Sequence, residues 1–221
     1  MRDNHLLHRR KTPRGITKRN PKEQLSEDLI KRDFKASEAN SKWLSDITEM
    51  KCADGKLYLA AILDCFDGAI VGISMTYHKR AELCVSALNS AIGRYGKKHG
   101  LIFHSDRGSQ YTSREYREHL QKHILLQSIG RTGSCYDNAR MESFFAILKK
   151  ELIYKLLYKL TRDQVRQKIF AWIELYYNIE RRYTANEENL PPLEKRARYQ
   201  KLPRDYWGLF HFPLTWGIRF S

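Results

Sequence analysis

Between residues 42 and 77 the chain alternates apolar, β-rich runs with short polar breaks. "KWLSDITEMKC" (42–52) is strand-like, "LYLAAILDCF" (57–66) is almost wholly apolar, and "AIVGISMTY" (69–77) closes the series. The breaks carry Asp54-Gly55 and Asp67-Gly68. Asp-Gly supplies the backbone freedom of a tight hairpin, so the pattern predicts a three-strand antiparallel meander. The continuous apolar run in the middle suits a central strand covered on both faces.

Past Tyr77 the period changes to that of helices. In "AELCVSALNSAIGRYGKKHG", Leu83, Ala87, Leu88, Ala91 and Ile92 line one side, with Gly100 as the expected stop. "LIFHSD" reads as a short strand, "SREYREHLQKH" as a helix with Ser113 at its N-cap, and "ILLQSI" as another strand. The Gly-rich "GRTGSCYDN" (130–138) is an expected mobile loop. After it, Met141, Phe144, Phe145, Leu148 and Leu152 form a single apolar stripe. A last helix is capped by Thr161 and buries Val165, Ile169, Trp172, Ile173 and Tyr176. A meander followed by alternating helices and strands predicts an α/β fold, a mixed sheet with helices on its faces. No internal repeat is visible.

Charge sharpens this picture. Over 221 residues, 40 Lys and Arg stand against 25 Asp and Glu, a net +15. A chain of this length supports one main domain, and a protein this basic is expected to meet a polyanion, nucleic acid first. The opening "MRDNHLLHRRKTPRGITKRNPKEQ" is basic and aperiodic, an arm expected to lie against phosphates. No apolar run is long enough to span a bilayer and no signal-peptide pattern opens the chain, so an intracellular protein without a membrane partner is expected. Cys52, Cys65, Cys84 and Cys135 are far apart, which favours small buried side chains over a disulfide framework or a zinc site.

The acidic residues carry the chemistry. Asp46 lies inside the first predicted strand, where Asp is disfavoured. Asp106 ends a strand in "FHSDRGSQ", and Glu142 sits about a quarter turn from the centre of the apolar stripe. Singly, each reads as a turn, edge or surface residue; Asp64 and Asp67, beside the meander turns, are given structural roles. Together, three carboxylates on rigid elements repel one another unless cations lie between them. Oxygen-preferring Mg²⁺ or Mn²⁺ suits them, and two such ions roughly 4 Å apart promote phosphoryl transfer.

The segments "WLSDITEM", "HSDRGSQYTS" and "YDNARMESFFAILKKEL" resemble the catalytic core of bacterial insertion-sequence transposases, the OrfB type of the IS-three family, which is similar to the retroviral integrase domain. Thirty-five residues separate Asp106 from Glu142, as in that family, and the resemblance runs from about Asp33 to about Arg196. It implies a ribonuclease-H-like mixed five-stranded sheet with helices on both faces. The chain then divides into a basic arm (1–35), a catalytic core with a C-terminal helical extension (36–199) and an aromatic-rich tail (200–221). It also implies a DDE-type polynucleotidyl transferase in which Asp46, Asp106 and Glu142 are catalytic and bind Mg²⁺ or Mn²⁺, as two ions. Its DNA would be the element ends and a target, cleaved and then joined through a 3′-hydroxyl. Self-association and a place in the bacterial cytoplasm, at the nucleoid, are also implied.

Asn138 and Lys149, at i−4 and i+7, share Glu142's side of the helix. With Lys150, Arg107, Arg131 and Arg140 they are the candidate DNA contacts. His104 falls on the same strand face as Asp106 and receives no role. The chain departs from the family in "SIGRTGS" (128–134) and at Tyr183, and its short arm suggests that a separate polypeptide supplies the helical DNA-recognition region. The tail has no family counterpart and, exposed, would be an association surface. Two alternatives share these residues: a hydrolytic nuclease using water as nucleophile, and a truncated transposase that only binds DNA.

Overall fold

The computed structural model describes residues 27–130, 138–156 and 159–200. Most of the arm, Arg131 and Cys135 in the Gly-rich loop, and the tail from 201 onward lie outside the described residues. Strands β1 (Lys42–Cys52), β2 (Gly55–Asp64) and β3 (Ile70–Thr76) form the meander expected from the Asp-Gly turns. Helix α1 (Ala81–Tyr95) then crosses over to β4 (Ile102–Ser105), and α2 (Ser109–Thr112) with α3 (Arg114–Lys122) leads to β5 (Leu126–Ile129). Both later strands run parallel to β1, giving a five-stranded mixed sheet in the order β3-β2-β1-β4-β5. Helical crossovers are what parallel neighbours require.

Alternation along the central strands sorts the core into two layers. On one face Trp43, Ala60 and Ile62 pack against Leu83, Cys84, Ala87, Leu88 and Ala91 of α1 and against Tyr116 and Leu120 of α3. Gly72 allows this approach, because a Cβ there would stand 2.5 Å from the Ala87 carbonyl oxygen. On the other face Leu44, Leu59, Ala61 and Leu63 meet Met141, Phe144, Phe145 and Leu148 of α4 (Ala139–Leu148) and Val165 and Ile169 of α6 (Arg162–Ala171). The helix of α4 continues through a π-helical turn (Lys149–Ile153) into the single turn α5 (Tyr154–Leu156). The N-terminus of α6 carries the expected Thr161 cap, completed as a capping box by Gln164.

Four boundaries differ from the sequence reading. Helix α1 stops at Gly96, whose φ of 69° ends the turn while its N–H bonds Ile92, so Gly100 is not the stop. The helix of α6 widens into a π-helix (Trp172–Tyr177), which moves the buried position from Tyr176, 40% exposed, to Tyr177, 1% exposed. Part of the presumed arm belongs to the core: Ile30 is buried, the Leu29 N–H donates to Ser128 Oγ at 2.9 Å, and Ile129 N–H donates to the Glu27 carbonyl. The C-terminal helical extension includes a last helix, α7 (Pro192–Gln200), that the apolar pattern did not single out.

Helix α7 is fastened by charge. Arg196 donates to Asp67 at 2.6 Å and to Asp64 at 2.7 Å, all three side chains being buried. Asp64 also accepts from the Asn40 and Phe66 N–H groups and from the Trp43 indole. Burial and the neighbouring Asp67 push the Asp64 carboxyl up to about 6, so at neutral pH it remains the anion that the guanidinium requires. The structural role expected of Asp64 and Asp67 is therefore the closure of the C-terminal extension onto the meander. Among the described residues no helix is long and apolar enough to cross a membrane.

Candidate active site

The parallel register of β1 and β4 ends with Ser45 opposite Ser105. Asp46 is the next residue of β1 and Asp106 the first residue after β4, so they follow side by side on neighbouring strands, whose spacing in a sheet is about 4.8 Å. There β4 stops while β1 runs on paired only to β2. The carboxyl end of a parallel strand such as β4 is the place where open α/β sheets take ligands. Asp46 shares its strand face with Leu44, the face that α4 covers. Glu142 rides on α4 and is exposed. Three elements distant in sequence thus bring one acid each to the same end of the sheet, close enough for Asp106 and Glu142 to act on Asp46.

Asp46 accepts from the Ile47 N–H at 2.7 Å, and Asp106 accepts from the Gly108 N–H at 2.9 Å. Burial above all, then the charge of Asp106, pushes the Asp46 carboxyl up to about 7; Glu142 adds to the rise, and the Ile47 N–H and Lys79 oppose it. Asp46 therefore feels the charge of both other acids, with Lys79 set against them. Among the described residues no three acidic, histidine or cysteine side chains stand close enough to hold one ion together. Asp106 and Glu142 are both exposed, so their carboxylates can reorient without disturbing the core. An all-oxygen donor set of this kind fits a hard divalent cation rather than a thiophilic one. Behind it, burial pushes the Cys84 thiol up to about 12, which makes it no nucleophile at neutral pH.

The other predicted residues distribute unevenly. Lys149 and Lys150 lie in the π-helical turn after α4, and their side chains make no hydrogen bond or ion pair among the described residues. Arg107 is partly committed, its Nε donating to the Gly130 carbonyl at 2.9 Å. Arg140 turns toward the β2–β3 connection and donates to the Cys65 carbonyl at 2.6 Å. Asn138 is buried, with its amide nitrogen 3.1 Å from the Ser45 carbonyl. His104 is buried and pairs with Ser128 Oγ at 2.8 Å, bracing β4 against β5. Sequence reasoning missed Lys79. This exposed lysine acts electrostatically on Asp46, and its carbonyl accepts from the Gln110 amide of α2 at 3.0 Å. The available signal was its place, in "YHKR" at a strand-to-helix connection.

A mixed five-stranded sheet in this order, with helices on both faces and acids at the end of β4, defines a ribonuclease-H-like domain. Solved structures share the fold. A chain of the simian T-cell lymphotropic virus intasome, determined with PP2A regulatory subunit B56 gamma, superposes with a TM-score of 0.62 at 19% identity, over 91% of this chain and 64% of that one. The HTLV-2 integrase catalytic core domain in complex with magnesium gives 0.57 at 22% identity, over 72% and 98%. The integrase core domain family matches residues 36–135 and again 125–191. The protein belongs to this integrase core family, in the form found in IS3-type transposases. It is 41% identical over 160 residues to the transposase InsF of insertion sequence IS3A from Escherichia coli (strain K12), covering 72% of this chain. It is 40% identical over 164 residues to the transposase of insertion sequence element IS904 from Lactococcus lactis subsp. lactis (strain IL1403), covering 74% of this chain. The chain spans 55% of the first relative's length and 64% of the second's.

Proposed function

We propose that the protein is a DNA transposase: it cleaves DNA strands at the ends of an insertion element and joins the freed 3′-hydroxyl to a target phosphodiester. The observation that carries this reading is the register that sets Asp46 and Asp106 side by side, on the face covered by the helix of Glu142. These three carboxylates would hold Mg²⁺ or Mn²⁺, as two ions. When bound, the ions would activate the attacking oxygen and stabilise the leaving one. Lys79, Lys149 and Lys150 would hold the phosphates of the DNA end beside the carboxylates, with Arg107, Arg131 and Arg140 as further contacts. Because Asp46 holds a proton up to about pH 7, metal and proton compete for it, and metal affinity should rise through that pH.

The names of the relatives favour strand transfer over simple hydrolysis, since both are transposases. The magnesium in the HTLV-2 integrase core favours the cation assigned here. The intasome relative supports an assembly of several copies around paired DNA ends. The relatives are longer than this chain, which supports recognition of the element ends by a region outside the core, on this or another polypeptide.

The test supplies a pre-cut DNA end and a target plasmid with Mn²⁺. Joined products are expected with the wild-type protein and none with Asp106→Asn, at DNA affinity within about twofold. Nicks without joined products would assign a hydrolytic nuclease. Binding without cleavage under any divalent metal would leave only a DNA-binding remnant.

A further inference from the structure

Asn138 occupies the N-cap position of α4, where an Asn side chain ordinarily accepts from the backbone of its own helix. Here it makes no such bond. Its amide nitrogen instead donates to the Ser45 carbonyl at 3.1 Å, across 93 residues of sequence, and the side chain is buried at 7% exposure. Its Oδ1 is buried and has no hydrogen-bond partner among the described residues. A buried, half-satisfied amide is a poor choice for stability alone and calls for another explanation.

The two ends of the bond suggest one. Ser45 immediately precedes Asp46 on β1, and it is held from below by its own Oγ, 2.9 Å from the Tyr111 hydroxyl. Asn138 lies one helical turn before Glu142 on α4. A single hydrogen bond therefore ties the strand carrying one acid to the helix carrying another, at the residue next to the first and one turn from the second. The apolar stripe of α4 fixes which face of the helix meets the sheet, but ridge packing tolerates sliding along the helix axis. A polar tether at the helix start removes that freedom.

We propose that Asn138 is a positioning residue that sets the separation of Glu142 from Asp46, and that it is not a contact to DNA. This rests on the reading of Asp46, Asp106 and Glu142 as metal ligands. Residues that orient metal ligands change metal affinity by about 10–100-fold when removed, whereas a phosphate contact changes DNA affinity and its salt dependence.

The experiment titrates Mn²⁺ into the full-length protein without DNA, followed by electron paramagnetic resonance, and separately measures binding of a DNA end in EDTA. Wild type, Asn138→Ala, Asn138→Ser and Asp106→Asn are compared. Serine keeps helix-capping ability but is too short to reach Ser45, and it carries the test if the alanine variant does not fold. Asn138→Ala and Asn138→Ser should both weaken Mn²⁺ binding tenfold or more, with DNA affinity in EDTA unchanged within about twofold. Wild-type Mn²⁺ binding in the folded serine variant would overturn the proposal by reducing the residue to a cap. A parallel loss of DNA affinity in EDTA would overturn it by making Asn138 a DNA contact. If wild type and Asp106→Asn fail alike to bind Mn²⁺, the metal reading itself falls and takes this inference with it. Metal binding that depends on Asp106 but not on Asn138 sinks the positioning role alone.

Discussion

Two acidic clusters lie on the same sheet, and the protein treats them in opposite ways. At the turn between β2 and β3, Asp64 and Asp67 close on the buried guanidinium of Arg196, with backbone and indole N–H groups filling out Asp64. Where β1 passes the end of β4, Asp46 and Asp106 stand together with Glu142 nearby, and a cation acting on Asp46 is an exposed lysine, Lys79. The first cluster carries its counter-charge within the fold. The second does not, and a group of acids left short of internal cations is stable only with protons or a ligand between them. Raw acidity therefore does not distinguish structure from function here; the source of the compensating charge does.

The largest effect on the folded state should come from removing the internal cation. Arg196→Met leaves two buried carboxylates facing each other without a partner, and breaking a buried pair in this way costs about 3–5 kcal/mol. Urea unfolding at pH 7 checks this, with a loss under about 1 kcal/mol counting against the closure role of α7.

At the other cluster the same measurement should change sign. Asp46 is raised to about 7, so the folded state holds that proton more tightly than the unfolded chain. Its contribution is therefore unfavourable as pH climbs from about 4 to 7 and fully so above, and Asp46→Asn removes the cost. In EDTA at pH 8 the variant should be more stable than wild type by roughly 1–3 kcal/mol, a gain that fades toward pH 4. Destabilisation by Asp46→Asn at pH 8 would mean that its charge is compensated after all.

Much of this arrangement was legible in the sequence, for physical reasons that also mark where legibility ended. The Asp-Gly turns act over a few residues, so the meander followed directly from them. The stripe of Met141, Phe144, Phe145 and Leu148 is likewise local, and it is buried as expected. Asp46 and Asp106 were identified as types at the right spacing, but their adjacency depends on parallel pairing between segments some 60 residues apart, which no local pattern encodes. Lys79 and Arg196 were missed for the same reason: each matters through a partner supplied by tertiary structure. The inward turn of Asn138 was hidden too, since helical spacing gives the side of the helix but not what covers it. The π-helical widening at Trp172–Tyr177 defeated the simple period and shifted burial to Tyr177.

The smallest effect should come from Lys79, which is exposed and partners the open cluster from its rim. Lys79→Ala should weaken binding of a DNA end severalfold and lower the slope of log affinity against log salt by about one, as one lost phosphate contact does. Unchanged affinity and slope would return Lys79 to a bystander.

The most direct test is anomalous diffraction from crystals soaked in Mn²⁺. The account predicts density at the carboxyl end of β4, between the carboxylates of Asp46 and Asp106, with Glu142 turned toward it. A site clear of metal at Mn²⁺ concentrations that support cleavage, or density beside Asp64 and Asp67 instead, would contradict it.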